Sequence, residues 1–187
     1  MIRWFVTILF SFVVILGLHY SGVVKFPFLS NTEEEMIWEP IPAPSLSIQS
    51  IEGKNLQLNQ FRGKIVLLNF WATWCGPCLD EFPSFFKIAE EMKDRLVFIG
   101  LSADKDKKTV GQYFEQYLRS YLPQLQHKNF LIALDAEQKI SEGMFNVVRF
   151  PETIIIDKEG RMVRKIVGSV DWTAPEMKKY LMDLSSP

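Results

Sequence analysis

Cys75 and Cys78 are the only cysteines among 187 residues, and they stand two residues apart in Trp74-Cys75-Gly76-Pro77-Cys78. Thiols this close cannot staple distant parts of a fold, whereas structural disulfide frameworks spread several cysteines along a chain. The pair is therefore for chemistry. It stands between an apolar run that reads as a strand and an amphipathic run that reads as a helix. At such a helix start, unpaired N–H groups and the positive end of the helix dipole favour a thiolate. Lowering the thiol pKa from about 8.5 toward about 7 makes Cys75 reactive at neutral pH. Cys75 then attacks a disulfide, and Cys78, one turn inward, resolves the mixed disulfide. No organic cofactor is needed beyond the redox-active Cys75–Cys78 pair. The competing chemistry is half of a zinc site, which needs two more ligands. No third cysteine exists and His127 is the one histidine outside the N-terminal run, so no metal ligand set is assigned.

The elements that must position the thiols follow from hydrophobic patterning. Residues 65–70 are almost continuously apolar, as a strand covered on both faces would be. Leu79, Phe82, Phe86 and Ala89 recur at helical spacing, and 96–101 reads as a second buried strand, completing a β-α-β unit. Short strands at 46–49 and 56–58 around the turn 52–55 predict an added hairpin. Asp106 opens a helix with Val110, Phe114, Tyr117 and Tyr121 on one stripe, and 131–134 is the next strand, so a central αβ step is inserted. Asp135 with Gln138 predicts a capping box for a short helix ending near Gly143. Residues 153–156 and 161–167 form a hairpin around the turn 157–160. Thr173 with Glu176 caps a closing helix that buries Met177, Tyr180, Leu181 and Leu184. Trp71 is expected in the core and Trp74 exposed beside Cys75; Pro83, five residues beyond Cys78, is structural.

With 48% hydrophobic and 23% charged residues, the length fits one globular domain plus an accessory segment. That segment is N-terminal. Residues 4–24 carry no charge, and 21 residues at about 1.5 Å rise span a hydrocarbon core of roughly 30 Å. It reads as a retained transmembrane helix, with a cleaved signal peptide as the alternative; no A-x-A-like site follows it. Arg3 before the run and Glu33, Glu34 and Glu35 after it place the rest of the chain outside the cytoplasm. Glutamates, then Pro40, Pro42 and Pro44, mark an extended tether. The expected division is an anchor at 1–25, a linker at 26–45 and a domain at 46–187. Past residue 25 the chain holds 19 basic and 22 acidic residues, and no basic cluster is interleaved with aromatics, so nucleic acid is not an expected partner.

Asn69-Phe70-Trp71-Ala72-Thr73-Trp74-Cys75-Gly76-Pro77-Cys78, with Phe61-Arg62-Gly63-Lys64, Glu81-Phe82-Pro83 and Phe150-Pro151-Glu152-Thr153, resembles the thioredoxin superfamily, in its membrane-anchored TlpA/ResA-like branch. The likeness runs over roughly residues 44–184. It implies an α/β thioredoxin fold, a central mixed sheet flanked by helices. It also implies that Pro151 is a cis-proline facing the cysteines, leaving the backbone of Phe150 to pair with an extended substrate. Trp74, Gly76, Pro77, Phe150 and Pro151 then tune or surround the thiols. Where thioredoxin carries a buried aspartate this chain has Asn69, which exchanges no proton, so Glu81 or Glu152 is the candidate for proton transfer. The Gly76-Pro77 dipeptide matches thioredoxin, a reductant at about −270 mV, not relatives near about −120 mV, so reduction is the favoured direction. The branch implies client-protein disulfides as substrates, such as apocytochrome c during cytochrome c maturation. It also implies an integral membrane thiol carrier as electron donor, at a bacterial inner membrane with the domain on the periplasmic or extracytoplasmic side. The alternative is a Cu(I)-binding metallochaperone of the same fold; a peroxidase would need a different cysteine setting.

Overall fold

The computed structural model describes residues 39–117 and 128–186. The expected anchor, the first part of the linker, Tyr121 and His127 lie outside them. Among the described residues no helix is long and apolar enough to cross a membrane.

Eight strands, four α-helices and a short 3-10 helix at Leu58–Phe61 are formed by the described residues. The strands are β1 (Ile41–Pro42), β2 (Ser47–Gln49), β3 (Asn55–Gln57), β4 (Ile65–Trp71), β5 (Leu96–Ser102), β6 (Phe130–Leu134), β7 (Glu152–Ile156) and β8 (Arg161–Val167). The helices are α1 (Gly76–Glu91), α2 (Lys107–Tyr117), α3 (Ser141–Phe145) and α4 (Pro175–Ser185). Six strands make one mixed sheet in the order β1-β8-β7-β4-β5-β6, with β4, β5 and β6 parallel and β7 antiparallel to β4. The apolar run at 65–70 is its middle: every residue of β4 and β5 is buried.

Side chains alternate across β4 and sort the core into two layers. Ile65, Leu67 and Trp71 join the layer that holds α1, α2, Trp172 and both cysteines. Val66, Leu68 and Phe70 join the layer under the β2–β3 hairpin and α3. On the thiol side the packing is largely aromatic: Trp71 meets Phe82 edge-on at 4.6 Å, and Phe85 stacks on Trp172 at 5.0 Å. Each fully buried side chain of this kind stabilises by about 1.5–3 kcal/mol. That layer also carries α1 past Pro83, whose missing N–H would otherwise break a helix, because Phe82, Phe85 and Phe86 stay buried on either side of it.

Three local expectations give way. The linker expected through residue 45 does not all stand apart, since Ile41 and Pro42 pair with Met162 and Arg161 and place a proline on the sheet edge, where its missing donor is harmless. Asp135 does cap α3, but from further away: its carboxylate accepts from the N–H groups of Ile140 and Ser141, while Gln138 takes a left-handed φ of 53°. The helix spans Ser141–Phe145, ending two residues beyond Gly143. Thr173, however, does not cap α4. Its hydroxyl and N–H both donate to Asp171, and Pro175, which has no N–H to satisfy, starts the helix. By contrast Asp106 accepts from the N–H of Thr109 and opens α2 as its position predicts.

Candidate active site

Cys75 is the N-cap of α1 and Cys78 lies in its first turn; a disulfide joins them, with Cα atoms 5.3 Å apart. Pro77 fills an early helical position where no hydrogen-bond donor is missed. Cys75 is 8% exposed and lines a surface hollow, whereas Cys78 is 1% exposed and does not, so the first cysteine is the more accessible of the two. Nothing stands within 4 Å of where a Cβ on Gly76 would sit, so this glycine keeps the approach open without being sterically required.

The loop that delivers Cys75 is tied to the end of β5 by Asp104, a buried residue that motif reading passes over. Its carboxylate accepts from the Thr73 N–H at 2.9 Å, the Thr73 hydroxyl at 2.7 Å and the Ser102 hydroxyl at 2.6 Å. The signal available was an acid just past a buried strand, opposite a threonine two residues before the nucleophile.

Trp74 is 68% exposed and leans on Phe150, with ring centroids 5.8 Å apart, while Trp71 is fully buried. Trp74, Cys75, Pro77, Val148, Arg149 and Phe150 are among the residues lining a hollow of about 430 Å³. The Phe150–Pro151 peptide is cis, and β7 begins at the next residue. A larger hollow of about 650 Å³, between α1 and the segment 169–173, contains neither cysteine.

Beneath the thiols the polar groups are few. Asn69 is buried and donates from its amide to the Thr153 hydroxyl at 2.9 Å. Glu81 lies three residues after Cys78 on the same buried face of α1. It accepts at Oε1 from the Trp172 indole N–H at 2.7 Å and the Val170 N–H at 3.1 Å. Burial pushes its pKa up to about 7, against the lowering effect of these two donors.

Glu152, the other proton-transfer candidate, is placed differently. It pairs in register with Phe70, and directly opposed residues share a sheet face, so its side chain lies with the second core layer and away from the cysteines. It is fully buried and ion-paired to Lys165 at 2.6 Å. The structure therefore brings Trp74, Gly76, Pro77 and Phe150 around the hollow at Cys75, keeps Glu81 one turn beyond Cys78 on the buried face of α1, and sets Glu152 in the other core layer. Among the described residues, no group of three His, Cys, Asp or Glu side chains is arranged to hold a metal ion.

The Redoxin family description matches residues 39–181. The thiol-disulfide oxidoreductase ResA of Bacillus thuringiensis is 33% identical over 179 residues, covering 93% of this chain and 95% of its own. The thioredoxin-like protein YneN of Bacillus subtilis is 33% identical over 165 residues, covering 87% and 89%. In fold, the chain is similar to a thioredoxin-family thiol:disulfide interchange protein of Chlorobium tepidum, with a TM-score of 0.63 at 22% identity over 79% of this chain and 98% of that one. With a disulfide between Cys75 and Cys78 at the head of α1 on a thioredoxin-like α/β sheet, the chain belongs to the redoxin family as a ResA-like thiol–disulfide oxidoreductase of the thioredoxin superfamily.

Proposed function

We propose that the protein is a membrane-anchored reductase of client-protein disulfides on the extracytoplasmic side of a bacterial cytoplasmic membrane. Apocytochrome c is its leading client, and an integral membrane thiol carrier recharges it. The observation that carries the reading is the asymmetry of the pair: Cys75 opens into the hollow beside Trp74 and Phe150, while Cys78 is buried one turn before Glu81 on the same helix face.

In the reduced protein the Cys75 thiolate attacks one sulfur of the client disulfide. The other client sulfur leaves as a thiolate and takes a proton from solvent. Cys78 gives its proton to the Glu81 carboxylate and attacks the Cys75 sulfur, closing the protein disulfide and releasing the second client thiolate. Two electrons pass to the client, and the membrane donor restores both thiols. A carboxyl with a pKa near 7 holds both protonation states at neutral pH, which suits a group that accepts a proton and returns it. Glu152, held by Lys165 on the far face, takes no part in that transfer.

The testing experiment is equilibration of the full chain in detergent with a dithiol buffer, followed by single-turnover reduction of a protein disulfide. The expected reduction potential lies nearer about −270 mV than about −120 mV. A value at the oxidising end overturns the reductive direction. Cys75→Ser is expected to abolish client reduction, and Cu(I) titration of the reduced chain separates this reading from copper delivery.

A further inference from the structure

The two most exposed large apolar side chains among the described residues are Val148, at 84%, and Trp74, at 68%, and both line the hollow at Cys75. Val148 is not there by default. The left-handed residue Asn146, with φ 50°, ends α3 and turns the chain outward. The segment beyond it is then gripped from below by two side chains. Lys165 donates to the carbonyls of Asn146 at 2.9 Å and Phe145 at 3.3 Å, and it ion-pairs with Glu152 Oε2 at 2.6 Å. The other carboxylate oxygen, Glu152 Oε1, accepts from the Val148 N–H at 3.3 Å. Glu152 is fully buried and Lys165 17% exposed, so an ion pair behind the sheet fixes the backbone of a wall in front of it.

We propose that Glu152 and Lys165 are positioning residues that hold Val148 at the hollow it shares with Trp74, and that the client fitting there is a segment with an apolar side chain next to its half-cystine. This rests on the client-reductase reading and adds to it a substrate class. The rim carries one cation, Arg149, and one anion, Glu142, among its lining residues, so its charges offset each other and leave apolar contact as the discriminating feature.

The test uses the prereduced full chain in detergent and two peptide disulfides that differ only in having Leu or Ser beside the attacked cysteine, with cystamine as the reference disulfide. The wild-type rate constant is expected to be about tenfold higher for the Leu peptide, the discrimination an apolar contact gives. Val148→Ser and Glu152→Ala bring the ratio close to one, whereas Val148→Ile preserves it. The reduction potential stays the same in all of them. A wild-type ratio near one, or a ratio that survives Val148→Ser, overturns the proposal. Should Glu152→Ala fail to fold, the exposed Val148 decides alone. Should the wild type reduce cystamine and neither peptide, the client-reductase reading falls first and this inference with it.

Discussion

Two glutamates are buried on opposite sides of the same sheet, and their surroundings differ in one decisive respect, the presence of a cation. Glu81, on the thiol side, has two N–H donors and, among the described residues, no ion-paired cation; burial pushes its pKa to about 7. Glu152, on the other side, has Lys165 at 2.6 Å, and the pair is spent on holding backbone at 145–148. A buried carboxyl without a cation becomes a proton site, because neutralising it is the cheaper way to keep it out of water. With a cation it becomes a strut.

The most damaging way to break this contrast is to remove the cation. Lys165→Met strands a charge at Glu152 and is expected to destabilise the fold by about 3–5 kcal/mol at neutral pH. Glu152→Leu in the same chain should recover much of that loss, since two well-packed apolar groups replace the pair. Urea unfolding of the single and double variants checks it. A single variant as stable as the wild type would mean that the ion pair is not holding the segment.

The complementary test is pH. Glu81 has a folded pKa of about 7 against an ordinary value of 4.5, so between these values the unfolded chain has released a proton that the folded chain still binds. Stability from this group is therefore greatest below about pH 4.5, falls as pH rises toward 7, and is flat above. The full drop is roughly 3 to 4 kcal/mol, at about 1.4 kcal/mol per pKa unit. Glu81→Gln keeps an oxygen for Trp172 and Val170 and should remove the drop, making the variant the more stable protein at pH 8. It should also slow the resolving step, read as longer-lived mixed disulfide. Unchanged pH dependence in the variant would remove Glu81 from the proton route.

How far each glutamate can be foreseen depends on how local its surroundings are. Glu81 is legible because helical spacing alone puts it on the face of Cys78, three residues on. Glu152 is not, because its neighbour in the chain, Pro151, suggests the thiols, whereas strand alternation turns it to the other face. Its partner Lys165 lies on β8, a pairing that only the register of the β7–β8 hairpin reveals. The strands and α1 are readable from apolar runs and periodicity, which belong to single segments. The caps expected at Asp135 and Thr173 differ from those formed because a carboxylate or hydroxyl has several partners within reach, and the choice is settled by turns on either side. Asp104 escapes a reading of motifs since its role depends on the parallel register of β4 and β5, which brings Thr73 to it.

Smaller effects should stay on one face. Gly100 lies opposite Asn69 in the β4–β5 register, on the thiol side, and a Cβ there would come within 3.0 Å of the Trp71 indole nitrogen, Phe98 and Ile132 side chains. Gly100→Ala must push these aside, at a cost of about 1–3 kcal/mol for overpacking, and should disturb the Trp71 environment in near-UV circular dichroism. The Leu-to-Ser preference governed by the opposite face should be left as it is. A shift in that preference would show that the two layers are coupled through the sheet.

The mildest change is Thr73→Val, which removes the hydroxyl that donates to Asp104 at 2.7 Å and leaves the backbone N–H bond at 2.9 Å in place. Losing one such bond costs about 1 kcal/mol in stability, somewhat more because the acceptor is a buried carboxylate. The larger consequence is geometric. Thr73 stands two residues before the nucleophile, and the Asp104 bonds tie its loop to the end of β5, so loosening it lets Cys75 wander from its place at the head of α1. The Cys75 thiol pKa in the reduced protein is then expected to rise and the attack rate to fall several-fold, since the helix terminus stabilises a thiolate only within its first turn. Thiol titration of the reduced variant reads this directly. An unchanged thiol pKa alongside the lost stability would assign Asp104 to holding the fold together and not to aiming the sulfur.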